Sequence, residues 1–136
     1  MEQQAIENTI RDKARKWAAE YGEDFVMELA GDFLRDAASR MVRLRQALER
    51  GDGDGLAFEA HTLKSSAANM GALAFADLAK RFEVAGRNGD LAAVAGDVNC
   101  FERQFATVKA SLEKMLSMPS KFLSEERSRR ESSSGL

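Results

Sequence analysis

One cysteine, one proline and one histidine occur in the 136 residues of this chain. Each scarcity excludes something. A lone Cys100 cannot form an intramolecular disulfide, so the chain is not a cystine-stapled mini-domain of the secreted kind. With Pro119 as the sole proline and β-branched residues scarce, nothing breaks long helices before the final segment. Long apolar runs are missing too. None approaches the ~20 residues that span a bilayer, and the opening MEQQAIENTIRDKARKW is too polar for a secretory signal. A reducing, cytoplasmic setting is the expectation, without membrane contact. Nor is there an excess of positive charge: the formal net charge is −2, which argues against a nucleic-acid binder with a basic face. No P-loop, no glycine-rich nucleotide motif and no carboxylate cluster for magnesium is present, so the chain itself offers nothing to bind ATP.

What is there points to helices. Apolar residues make up 44% and charged residues 31%, which fits one soluble domain with a real core. Ala, Leu, Glu, Arg and Lys dominate, and glycines cluster at Gly22, at Gly51, Gly53 and Gly55, at Gly71, and at Gly86 and Gly89, reading as helix ends and turns. Gly31 is an exception, isolated inside an apolar-periodic segment. Between the clusters the apolar period is helical. Ile6, Ile10, Ala14, Trp17 and Tyr21 mark a first helix. Val26, Ala30, Phe33, Ala37, Met41, Leu44 and Leu48 mark a long second one. A third runs to Met70 with Asp54 as its N-cap, and Gly71 turns the chain out of it. Phe75, Leu78, Phe82 and Ala85 line a fourth that stops at GRNGD. Asp90 caps a fifth, continuous over 91–117, with Leu91, Val94, Val98, Phe101, Phe105, Val108, Leu112 and Met115 inward.

Short links between amphipathic helices place neighbours antiparallel. The expected fold is all-α: an up-down four-helix bundle over residues 21–118, with an N-terminal helix (1–20) packed across one end. Residues 119–136 are rich in Ser, Arg and Glu. They are expected to be a disordered tail or linker that the bundle does not need.

The single histidine lies in EAHTLKSSAANMGA, Glu59 to Ala72. With about 100° per residue and His61 at zero, Leu56, Ala60, Leu63, Ala67 and Met70 fall on the opposite side and form the core stripe. Asp54, Ala57, Phe58, Lys64, Ser65 and Ala68 share the His61 side, which faces outward. Singly, these are ordinary helix-surface residues. Metal binding lacks a second histidine, and Cys100 is on another helix. A hydrolytic triad lacks an acidic residue on the same face within a turn.

Together they carry more. H-x-L-K-S-S-A-A-N-M-G-A resembles the signature of the histidine-containing phosphotransfer (Hpt) domain, through His61, Leu63, Lys64, Ser66, Ala67, Met70 and Gly71. The flanking FVMELAGDFLRDAASRMVRLRQAL and LAKRFEVAGRNGDLAAV look like that domain's neighbouring helices, so the resemblance covers roughly residues 20–117. Where the family pattern has glycine, this chain has Ser65. The resemblance implies a phosphoryl carrier without kinase activity of its own, acting in two-component phosphorelays. His61 would be the phosphorylated nucleophile, Lys64 would offset phosphoryl charge, and Ser65 would orient the imidazole. Ala57, Phe58, Ser65 and Ala68 would form the docking patch, with Leu63 and Gly71 structural. The partner would be a response-regulator receiver domain, which brings its own Mg²⁺, or a hybrid sensor kinase in cis. No cofactor is held by this chain. A different class remains open: a helical binding module that docks a receiver or another partner without phosphorylation. An acid-labile phosphate separates the two.

Overall fold

The computed structural model describes residues 2–126 of the chain. Among them are seven helices and no strand: α1 (Glu2–Tyr21), α2 (Glu23–Arg50), α3 (Gly53–Asn69), α4 (Leu73–Asn88), α5 (Ala92–Ala95), α6 (Val98–Ser117) and α7 (Pro119–Ser124). The fold is all-α, as the period near 3.6 requires. Contacts between α2 and α3, α3 and α4, α4 and α6, and α6 and α2 close a ring of four helices. Their apolar stripes meet at its centre, where Leu44, Leu56, Leu63, Phe82, Phe101 and Leu112 are fully buried. Each such side chain stabilises the fold by roughly 1.5–3 kcal/mol. Phe101 stacks on Phe75 at 4.5 Å and on Phe82 at 4.8 Å between ring centroids, tying α6 to α4.

Helix α1 contacts α2, α4, α6 and α7 through Ile6, Ile10 and Ala14. It seats on the turn between α3 and α4, and Gly71 makes that possible. Gly71 has φ +80°, and a Cβ there would lie 2.5 Å from Thr9 O and 2.6 Å from Lys13 Cβ. Only glycine accommodates both the left-handed backbone and the contact.

The structure corrects four expectations. Helix α3 begins two residues earlier than Asp54 suggests. Asp52 is its N-cap, with Oδ1 accepting from Gly55 N at 2.9 Å, and Asp54 stands exposed in the first turn. Gly86 does not end α4 but lies inside it. The helix expected over 91–117 is broken at Gly96 and Asp97. There the N–H groups of Val94 and Asp97 reach back only three residues, to Leu91 O and Val94 O, and Asp97 pairs with Arg81 of α4 at 2.7 Å. Asp90 makes no side-chain cap. The fourth correction is the tail. Pro119 starts α7 at a position where its missing N–H costs nothing, and Phe122 is 1% exposed. Arg11 of α1 donates from Nε to Phe122 O at 2.7 Å and lies 4.4 Å over the Phe122 ring. Arg15 donates to Leu123 O. Two cations thus satisfy the last carbonyls of a short helix. The remaining stretch assigned to the tail, 127–136, lies outside the described residues.

Candidate functional site

His61 sits midway along α3, and what it faces is decided by how closely α4 approaches. A Cβ on Gly53 would lie 2.7 Å from Gly86 O, and one on Gly86 would lie 2.6 Å from Gly53 O and 2.7 Å from Ala57 N. Glycine at both positions lets the two backbones touch. That contact places Glu83, one turn before Gly86, beneath the imidazole.

The Glu83 side chain is only 6% exposed, yet it meets three cationic or hydrogen-bonding groups. Oε2 lies 2.9 Å from His61 Nδ1 and 2.5 Å from an Arg87 guanidinium nitrogen, and Oε1 lies 2.7 Å from Lys64 Nζ. A buried carboxylate needs such partners. Burial pushes the Glu83 carboxyl up, but the close Lys64 ammonium and the His61 hydrogen bond, with the charge of Arg87, outweigh it and hold it below the usual carboxylate range. Glu83 is therefore ionised at neutral pH and can only accept. In the neutral imidazole Nδ1 therefore carries the proton and Nε2 keeps its lone pair. The His61 side chain is 53% exposed, so that lone pair is open to a partner.

Of the residues singled out in the sequence, His61, Lys64, Phe58 and Ser65 come together on one accessible face, with Ala68 half-buried two turns on. Phe58 is 62% exposed, and Arg40 of α2 lies 5.8 Å from its ring centroid. Ala57 departs from expectation. It is buried in the crossing with Gly86 and cannot contribute to a docking patch. Ser65 is exposed and no hydrogen bond joins it to the ring; the bond to Nδ1 comes from Glu83 instead. Leu63 is fully buried. Among the described residues no three His, Cys, Asp or Glu side chains converge as a metal-binding group.

Helical periodicity around His61 does not reveal Glu83 or Arg87, because both lie on α4 rather than on the histidine's own helix. Their trace was nonetheless present. Ala76, Ala79 and Gly86 recur at helical spacing around Glu83, and a stripe of small residues marks a face where another helix comes close. An acidic residue inside such a stripe must find a partner on the neighbour.

The family model of the Hpt domain matches residues 28–117. The crystal structure of histidine-containing phosphotransfer protein B (HptB) from Pseudomonas aeruginosa PAO1 is similar, with a TM-score of 0.72 and 30% sequence identity over 78% of this chain and 92% of that one. Comparison with curated proteins gives no match. With a solvent-facing imidazole beside a lysine and both comparisons in accord, the chain belongs to the Hpt family, whose role is histidine phosphotransfer in phosphorelays.

Proposed function

We propose that the domain relays a phosphoryl group between receiver aspartates through Nε2 of His61. The observation that carries this is the Glu83–Nδ1 hydrogen bond, which in the neutral ring puts the proton on Nδ1 and leaves the lone pair on Nε2 of an exposed side chain. In the accepting step the Nε2 lone pair attacks the phosphorus of an aspartyl phosphate in line. The N–P bond forms as the P–O bond to the aspartate breaks, and the aspartate departs as a carboxylate. Such a transfer asks the protein for positioning and charge compensation more than for covalent chemistry. Lys64 is the mobile cation one turn from the ring, and its ammonium can turn from Glu83 to the phosphoryl oxygens. Arg87 is a second cation within reach of the same carboxylate. The receiver supplies the aspartate and its Mg²⁺, so neither partner is a complete enzyme alone.

Docking uses Phe58 as the apolar anchor, with Ser65 and Ala68 beside it and charged residues at the rim. A contact of this kind is small and transient, which suits a shuttle. A cytoplasmic setting fits receivers as partners, and no described helix is long and apolar enough to cross a membrane.

The test is transfer from a phosphorylated receiver to the wild type and to His61→Gln. The wild type should gain one acid-labile phosphate. The variant should gain none while its stability shifts by no more than about 0.5 kcal/mol, as at other exposed positions. A variant that still accepts phosphate, or a wild type that binds receivers and never does, would sink the relay and favour a binding module.

A further inference from the structure

Glu83 has a second consequence, which concerns the phosphorylated state and rests on the relay reading above. When Nε2 bonds to phosphorus its lone pair is spent. If Nδ1 keeps its proton, the ring is then cationic and its departure from phosphorus yields neutral imidazole. If Nδ1 loses that proton, the same departure must yield an imidazolate, a far poorer leaving group. Transfer onward therefore depends on a proton at the atom that Glu83 holds.

We propose that Glu83 is a positioning residue for the donor half of the relay: its carboxylate, 2.9 Å from Nδ1, retains the proton on phospho-His61 and so keeps the phosphoryl group transferable at alkaline pH. In the donor step the receiver aspartate attacks phosphorus. The N–P electrons return to Nε2, and the proton stays on Nδ1 throughout, so no base or acid need exchange it.

The surroundings favour this. At rest Glu83, Lys64 and Arg87 together carry one net positive charge. A phosphoryl dianion on a Nδ1-protonated ring adds one net negative charge, and the cluster becomes neutral. Were the ring to deprotonate, a negative charge would be left over beside a buried carboxylate. Other charged groups near the ring do not reverse the balance. From α2, Arg40 and Arg43 are committed to Asp36 and to Glu59 of α3. On α4, Lys80 is exposed to solvent one turn before Glu83. Lys64 and Arg87 do oppose a cationic ring, but both gain the phosphoryl oxygens as partners. An opposite charge at this distance moves a titration by about one pH unit or more.

Because His61 is the only histidine, its ring signals in NMR are unambiguous. The whole protein is phosphorylated with phosphoramidate, which loads the imidazole without any receiver, and the ring is titrated by ¹⁵N and ³¹P NMR. The folded phosphoprotein should hold the Nδ1 proton to a pH about one unit or more above the same protein unfolded in urea. Glu83→Gln keeps shape and an acceptor but no charge, and should remove most of that difference. In transfer to a receiver, the alkaline limb of the Glu83→Gln rate profile should move down by the same interval. The loss relative to wild type is then about tenfold larger per unit at pH values above both limbs than below them. Equal titrations of folded and unfolded phosphoprotein would overturn the proposal, and that arm needs no variant to fold. A normal titration shift without transfer to any receiver would instead count against the relay reading, leaving the Glu83 assignment intact.

Discussion

At the scale of single residues, the site is a histidine whose two nitrogens have been given different environments. Nδ1 is held by Glu83 at the α3–α4 crossing while the rest of the ring is exposed, so in the proposed relay only Nε2 serves as nucleophile. Lys64 pairs with the buried carboxylate at rest, and in the proposed relay it turns to phosphate during transfer. Lys64→Ala should slow transfer by roughly ten- to a hundred-fold, the scale of one lost charge-assisted contact to developing phosphate charge. The melting temperature should fall only modestly, because Arg87 and His61 still meet the buried Glu83 carboxylate when Lys64 is gone. An unaltered transfer rate would mean that the receiver supplies all charge compensation.

Elements set where those residues stand. The crossing of α3 and α4 is a contact of backbone on backbone, with Gly53, Ala57 and Gly86 at its centre. Gly86→Ala would drive its methyl into Gly53 O and Ala57 N, neither of which can swing aside as a side chain could. The helices must then part, at a cost of about 1–3 kcal/mol typical of overpacking. Glu83 would move with α4, so the His61–Glu83 bond should lengthen. A drop in the denaturation midpoint accompanied by a changed ring tautomer ratio in NMR is the expected pair of results; a stable variant with an unchanged ring would show that the crossing has slack.

At the scale of the whole molecule, α1 and α7 lie outside the stretch that the family model matches, yet both pack on the bundle. Glu7, Arg11, Lys114 and Glu125 form a network linking α1, α6 and the end of α7. Deleting residues 119–136 removes Phe122 and leaves the Arg11 guanidinium, 1% exposed, without its carbonyl partner. Losing a buried Phe alone costs about 3–5 kcal/mol, so the melting temperature should fall by roughly ten degrees or more. An unchanged melting temperature would mean that α7 adds nothing. Acid should also weaken the fold. Glu83 and Glu7 titrate below the ordinary value of 4.5, in each case because burial, which raises them, is outweighed by cationic partners; Lys64 and His61 do this for Glu83, Arg11 and Lys114 for Glu7. Their unfolded forms take up protons first. The stability they contribute is therefore present above about pH 4.5 and lost as pH falls through their folded values. Melting temperatures measured downward from neutral pH should decline in that window, and Glu83→Gln and Glu7→Gln should each make the decline shallower.

By itself the sequence determined the helical period, the buried stripes of α2, α3, α4 and α6, and the outward orientation of His61, Lys64, Phe58 and Ser65. All of these follow from a fixed turn of about 100° per residue, a local property of the chain. Only the tertiary structure decided which helix lies against which face. Ala57 shares the His61 side of α3 by rotation, yet the approach of α4 at Gly86 buries it. Glu83 is separated from His61 by 22 residues, and no helical step relates them. Phe122 and Leu123 are too few to signal a packed helix, because what holds them is the pair of arginines on α1, at the other end of the chain. Periodicity is written residue by residue, whereas partnership between distant segments arises only when close packing selects which surfaces meet.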